Sequence, residues 1–171
     1  MEEETSIVDE VISMDYDSAG VSFDFIGMNN DAALVCEQDA VIREKITKTL
    51  TDMNYHVTES ATDREALKNM RFHTYDLIII DENFAMESQG NNEVLTYLQN
   101  ISAAARRNAL VTMLSDNYRT MDNMAAFNKS VNLVINRKNI DDFAAIIKRG
   151  LDENKTFYNV FRESLKKTGR I

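Results

Sequence analysis

Tyr75-Asp-Leu-Ile-Ile-Ile-Asp-Glu-Asn-Phe84 reads as one buried strand with a carboxylate at its end. Leu77 to Ile80 is a continuous apolar run, too short for a helix and mostly β-branched, which suits a parallel strand covered on both faces. In an open α/β sheet the chemistry sits in the crevice beyond the carboxyl ends of the strands, so Asp81 stands where an acidic group is available for use. Taken alone, an Asp at such a place is most often the start of a polar turn. Partners brought by other strand ends are what raise it above that reading.

Strand and helix patterns alternate on both sides of this stretch. Ala33–Cys36 is a short apolar strand, and Val41, Ile42, Ile46, Leu50 and Met53 recur at helical spacing behind it. Tyr55–Glu59 alternates as a second strand. Thr62 and Glu65 form a capping-box signature ahead of a helix face made by Ala66, Leu67 and Met70. Beyond the quoted strand, a polar loop from Glu82 to Asn91 leads to a helix with Val94, Leu95, Leu98 and Ile101 inside. Ala109–Leu114 is a fourth strand ending at Ser115, Met121, Met124 and Phe127 mark a short helix, and Val131–Ile135 is a fifth strand followed by Asn136, Arg137 and Lys138. Five strand–helix repeats predict an α/β fold, a flavodoxin-like, doubly wound, five-stranded parallel sheet with helices on both faces.

The last helix is expected to start after Asn139 as its cap, with Asp142 near its first turn and Phe143, Ile146, Ile147 and Leu151 on one face. Gly150 is expected to kink or break it, at about 1 kcal/mol relative to alanine if it lies inside. Phe157, Val160, Phe161 and Leu165 then form a stripe with no strand assigned beneath them. That stripe is expected to be an interaction surface, including for a homodimer, or else to fold back on the domain or cover the amino-terminal leader. The expected organisation is an acidic leader or linker over residues 1–31, a globular domain over 32–150 and a C-terminal helical extension over 151–171.

The net charge of −9 is localised: residues 1–31 hold nine Asp or Glu and no Lys or Arg, and residues 32–171 hold nineteen of each sign. A neutral body without a basic stripe argues against a nucleic-acid surface. The leader, with like charges and scattered apolar residues, is expected to be largely mobile over residues 1–20, with a short helix at 5–14 or a strand at 21–26 left open. No apolar run approaches the ~20 residues of a membrane span and the acidic start does not resemble a signal peptide, so a cytoplasmic protein is expected. Cys36, with only His56 and His73 beside it, offers no zinc spacing and reads as a small buried residue.

Ala33-Leu-Val-Cys-Glu-Gln-Asp-Ala-Val-Ile-Arg43, Asp76-Leu-Ile-Ile-Ile-Asp81, Val111-Thr-Met-Leu-Ser115 and Leu133-Val-Ile-Asn-Arg137 resemble the four blocks of the receiver domain of two-component response regulators. The resemblance covers residues 32–150 in the right order. It implies that Asp81 accepts a phosphoryl group from a histidine kinase, that Ser115 is the switch hydroxyl, and that a magnesium ion is held by Glu37, Asp81 and the main-chain carbonyl of Asn83, with Asp39 close enough in sequence to reach in. Such an ion would offset the charge that builds on the transferred group while a cation clamps its far side. Ser115 equally suits a cap for the following turn.

Three departures bear on that chemistry. Gln38 falls where the family has its direct magnesium ligand, and an amide oxygen holds the ion less strongly than a carboxylate. Arg137 takes the place of a lysine, a non-conservative change, with Lys138 as the alternative in a shifted register. Lys138 also replaces the proline that normally follows through a cis bond, so a different loop path is expected. Val134 stands near the position of the aromatic that often accompanies the switch. The expectation is an atypical phosphorelay receiver, not an enzyme, that binds magnesium weakly, is phosphorylated at Asp81 poorly or not at all, and works through a protein partner such as a histidine kinase or a downstream effector. The alternatives are a working, magnesium-dependent phospho-acceptor and a flavodoxin-like binder of a nucleotide or other small molecule. Against the last, no glycine-rich loop follows the first strand.

Overall fold

The computed structural model describes residues 31–86 and 91–169, so the expectations for residues 1–20 and for a helix at 5–14 or strand at 21–26 lie outside the described residues. Five strands, β1 (Ala32–Cys36), β2 (His56–Glu59), β3 (Leu77–Asp81), β4 (Leu110–Ser115) and β5 (Leu133–Asn136), form one sheet in the order β2-β1-β3-β4-β5. Every pairing is parallel. β1, β3 and β4 are buried along their whole length, in keeping with their largely apolar sequences, whereas β2 at the edge has exposed ends and a half-buried middle.

Helices α1 (Ala40–Asp52), α2 (Asp63–Phe72), α3 (Glu93–Asn100), α4 (Ala103–Arg106), α5 (Asn123–Lys129) and α6 (Phe143–Lys167) are the α-helices of the described residues. The side-chain alternation of the strands divides the core in two. Ala33, Val35, Leu77, Ile79, Leu114 and Ile135 face Ile46 and Leu50 of α1 and Phe143 and Ile147 of α6. Leu34, Cys36, Ile78, Ile80, Val111 and Met113 face α2, α3 and α5. This is the doubly wound, flavodoxin-like arrangement, and it leaves the carboxyl ends of β1 and β3 side by side where consecutive crossovers diverge. No helix of the described residues is long and apolar enough to cross a membrane.

Local chemistry accounts for most element ends. Asp39 caps α1 by accepting the N–H groups of Val41 and Ile42. The Thr62 hydroxyl accepts from Glu65 N–H, while the Glu65 carboxylate reaches the N–H of Ala61, one residue ahead of the usual capping box. α4 is a single turn capped by Ser102, too short to leave a periodic signal. The start of the last helix differs from expectation. A 3₁₀ turn spans Arg137–Asp142, Asn136 caps it by accepting Lys138 N–H, and Asn139 lies within it. All described peptide bonds are trans, including the one before Lys138.

Gly150 does not break α6, which runs unbroken from Phe143 to Lys167. Its role is close approach: a Cβ there would lie 2.8 Å from Cδ2 of Leu133, at the start of β5. Past this point Phe157 and Val160 remain exposed, while Phe161 lies under the guanidinium of Arg107, 4.6 Å from its ring centre. We expect Gly150→Ala to be nearly neutral in urea unfolding, because about 1 kcal/mol of helix propensity is offset by displacing one end of Leu133. Gly150→Val cannot be accommodated that way and should cost about 1–3 kcal/mol.

Candidate functional site

The carboxyl ends of the strands gather a buried charge cluster. Glu37, immediately after β1, is fully buried, and Asp81, the last residue of β3, is 4% exposed. Arg137, the first residue after β5, meets both. Its Nη2 donates to Oε1 and Oε2 of Glu37 at 3.0 and 2.9 Å, and the same nitrogen lies 2.9 Å from Oδ1 of Asp81. The approach to Asp81 is close but poorly directed, so Oδ1 accepts no well-aligned hydrogen bond. Nε of Arg137 also lacks one, standing 3.8 Å from Oδ2 of Asp116.

Electrostatics follow from this geometry. Burial raises the pKa of Glu37, and the neighbouring charge of Asp81 adds to that, against the N–H of Asp39 and the guanidinium, which lower it. Burial alone would lower the pKa of Arg137, but its contacts with Asp81, Glu37 and Asp116 prevail and raise it. The guanidinium is therefore a fixed cation inside an acidic pocket.

Ser115, at the end of β4 and fully buried, is engaged twice. Its hydroxyl donates to Oε2 of Glu82 at 2.6 Å, and its oxygen accepts the N–H groups of Asn117 and Tyr118 at 3.0 and 3.4 Å. It thus caps the following turn while holding a carboxylate. Asn117 Nδ2 and Lys129 Nζ also meet Glu82, at 3.3 and 3.2 Å. Burial would raise the pKa of Glu82, but the bonds from Ser115, Asn117 and Lys129 outweigh it and lower the value. The side chain of Asn92 ties the loop down by donating to the carbonyls of Asp81 and Glu82.

Several solved structures that superpose on the chain are response regulators or their receiver domains. A putative response regulator from Chloroflexus aurantiacus superposes with a TM-score of 0.58 at 16% identity, covering 72% of this chain and 99% of its own. The chemotaxis response regulator CheY4 of Vibrio cholerae gives 0.58 at 19% identity, covering 71% and 99%. A CheY-like receiver domain protein of Methanospirillum hungatei gives 0.57 at 21% identity, covering 75% and 98%. The chain has the receiver fold. No protein-family model matches the sequence, and no curated protein does.

The receiver fold brings Glu37, Asp81 and Arg137 together as the sequence reading places them, with Ser115 on the adjacent strand end. Other residues go elsewhere. Asp39 is spent on the α1 cap and is exposed. Asn83 is exposed in the turn after β3, its carbonyl accepting a 3.3 Å bond from Met86 N–H. Gln38 and Lys138 are exposed, so Arg137 rather than Lys138 is the cation of the pocket. The expected magnesium set is not assembled: among the described residues no three acidic, His or Cys side chains form a group suited to a metal ion. The oxygens of Glu37 and Asp81 that the expected ion would use face the guanidinium of Arg137 instead. Sequence reasoning missed Glu82, Asp116 and Lys129. Glu82 and Asp116 directly follow two candidate residues, and that adjacency was a usable signal. Lys129 carried none.

Arg137→Ala would leave two carboxylates buried beside each other and should lower unfolding free energy by about 3 kcal/mol near pH 7. A carboxylate with a raised folded pKa favours the fold below its unfolded value, and that contribution is lost as pH rises through the folded value. Glu37 is raised in the native protein and would be raised further without Arg137, so the mutant deficit should shrink on acidification, as urea titrations at several pH values would measure. Glu82 has the opposite sign: its contribution is present above the unfolded value and lost as pH falls through the folded one. Glu82→Gln should therefore destabilise at neutral pH and converge on the native protein in acid.

Proposed function

We propose that this protein is a signalling module of the receiver fold that acts by presenting a surface to a protein partner, a histidine kinase or a downstream effector, and that Asp81 is phosphorylated poorly or not at all. It catalyses no reaction of its own in this reading. One observation carries the proposal: the Arg137 guanidinium bonds both oxygens of Glu37 and lies 2.9 Å from Asp81. A phosphoryl group on Asp81 adds charge and bulk to a carboxylate that is 4% exposed, and it needs a divalent cation on the same oxygens. Arginine cannot give up its proton to make way, and displacing it would strand buried charge.

The Ser115 contact supports the same reading. Glu82, a carboxylate built into the chain, already takes the hydroxyl's hydrogen bond and pairs with Lys129. The Ser115 hydroxyl therefore has an anionic partner without any added group, which suits a surface that keeps one state.

Labelling with acetyl phosphate and magnesium tests the proposal. The native protein should incorporate little phosphate, and Gln38→Asp combined with Arg137→Lys should raise labelling by about tenfold or more by supplying a carboxylate ligand and a more mobile cation. Efficient magnesium-dependent labelling of the native protein, abolished in Asp81→Asn, would contradict it.

A further inference from the structure

α6 outruns the sheet it covers. Gly150 sits against Leu133 at the start of β5, and the 17 residues from there to Lys167 carry the helix about 25 Å further, past the amino-terminal ends of the strands. Phe157 and Val160, 77% and 73% exposed, lie on this overhang. At its root a groove of about 250 Å³ runs between β5, the start of α5 and α6, lined in part by Leu110, Met121, Leu133 and Phe157. Residues 151–171 carry five basic side chains and three acidic, of which Glu153 lines the groove and pairs with Arg149, and Arg107 adds another cation beside Phe161.

The described chain enters the sheet at this same end. Asp31 leads directly into β1, and three inter-strand spacings, about 14 Å, separate β1 from β5. Residues 1–31 carry nine acidic groups and no basic one, and Val21, Phe23, Phe25 and Ile26 make up an apolar stretch. From Ile26 to Ala32 the chain can span about 20 Å, enough to bring that stretch from β1 to the groove. A second copy docked helix to helix would instead set one basic overhang against another.

We propose that the α6 overhang and the groove at its root are the docking surface for residues 21–26 of the same chain, with Phe23 and Phe25 covering Phe157 and Val160 and the acidic leader meeting the basic flank. The leader then joins the start of the chain to its terminal helix at the edge of the domain opposite the Arg137 cluster. This does not depend on the phosphorylation state of Asp81.

Amide hydrogen exchange on the full chain, with mass by light scattering, tests the proposal. Residues 21–26 should be protected in a monomer at all protein concentrations, and should exchange about tenfold faster in Phe157→Ser/Val160→Ser and at high salt, with protection in β3 and β4 unchanged. If that double variant fails to fold, Phe23→Ser/Phe25→Ser, which alters only the leader, should shift the amide resonances of residues 153–161. Exchange at 21–26 that is fast in the native protein, or resonances at 153–161 that ignore the leader changes, would overturn the proposal. Protection that appears only with a dimer mass would give the surface to a second copy and overturn it too.

Discussion

Glu37 and Asp81 are two carboxylates, both buried, set beside each other by the adjacency of β1 and β3, and a cation between them offsets the cost of burying like charges together. The fold makes this demand before any function is considered, because the neighbouring strands β1 and β3 both end there. Here the cation is the guanidinium of Arg137, delivered from the end of β5 by a 3₁₀ turn. A metal ion and a guanidinium answer the same electrostatic problem in exclusive ways. Each occupies the oxygens the other needs, but only the guanidinium is covalently fixed and always charged. The identity of the resident cation therefore bears on the stability of the pocket.

The charge pattern around the pocket is consistent with a settled site. Asp39 is turned outward to cap α1, removing an acid that could have coordinated an ion. Glu82 is turned inward, where Ser115, Asn117 and Lys129 hold it. Two anions thus have resident cations, Glu37 with Arg137 and Glu82 with Lys129. The buried Oδ1 of Asp81 and Nε of Arg137 are the atoms of this pocket that lack well-directed partners.

The sheet was legible because its signals are local. The apolar runs of β1, β3 and β4, the alternation of β2 and the 3.6-residue period of α1 each sit within a few consecutive residues, and the order of elements then limits the topology. Glu37, Asp81, Ser115 and Arg137 were legible for a related reason: strand ends in a doubly wound sheet converge. What escaped depends on three-dimensional neighbours. Gly150 looked like a helix breaker because nothing nearby in sequence announces Leu133 packing against its bare Cα. Asp39 could cap or coordinate, and the backbone resolved the choice toward the cap. Lys129 reaches Glu82 from another element, α5, and no spacing rule connects them. α4, at one turn, falls below the length at which periodicity means anything.

The central claim, that Arg137 holds the place a divalent ion would take, is most directly tested by titrating the native protein with magnesium while following the backbone amides of Glu37 to Asp39 and Asp81 to Asn83. The account predicts no saturable shift in the native protein up to about 10 mM magnesium, and saturable shifts at the same amides in Gln38→Asp/Arg137→Lys. Saturable binding to the native protein at those amides, with Arg137 displaced from Glu37, would contradict it.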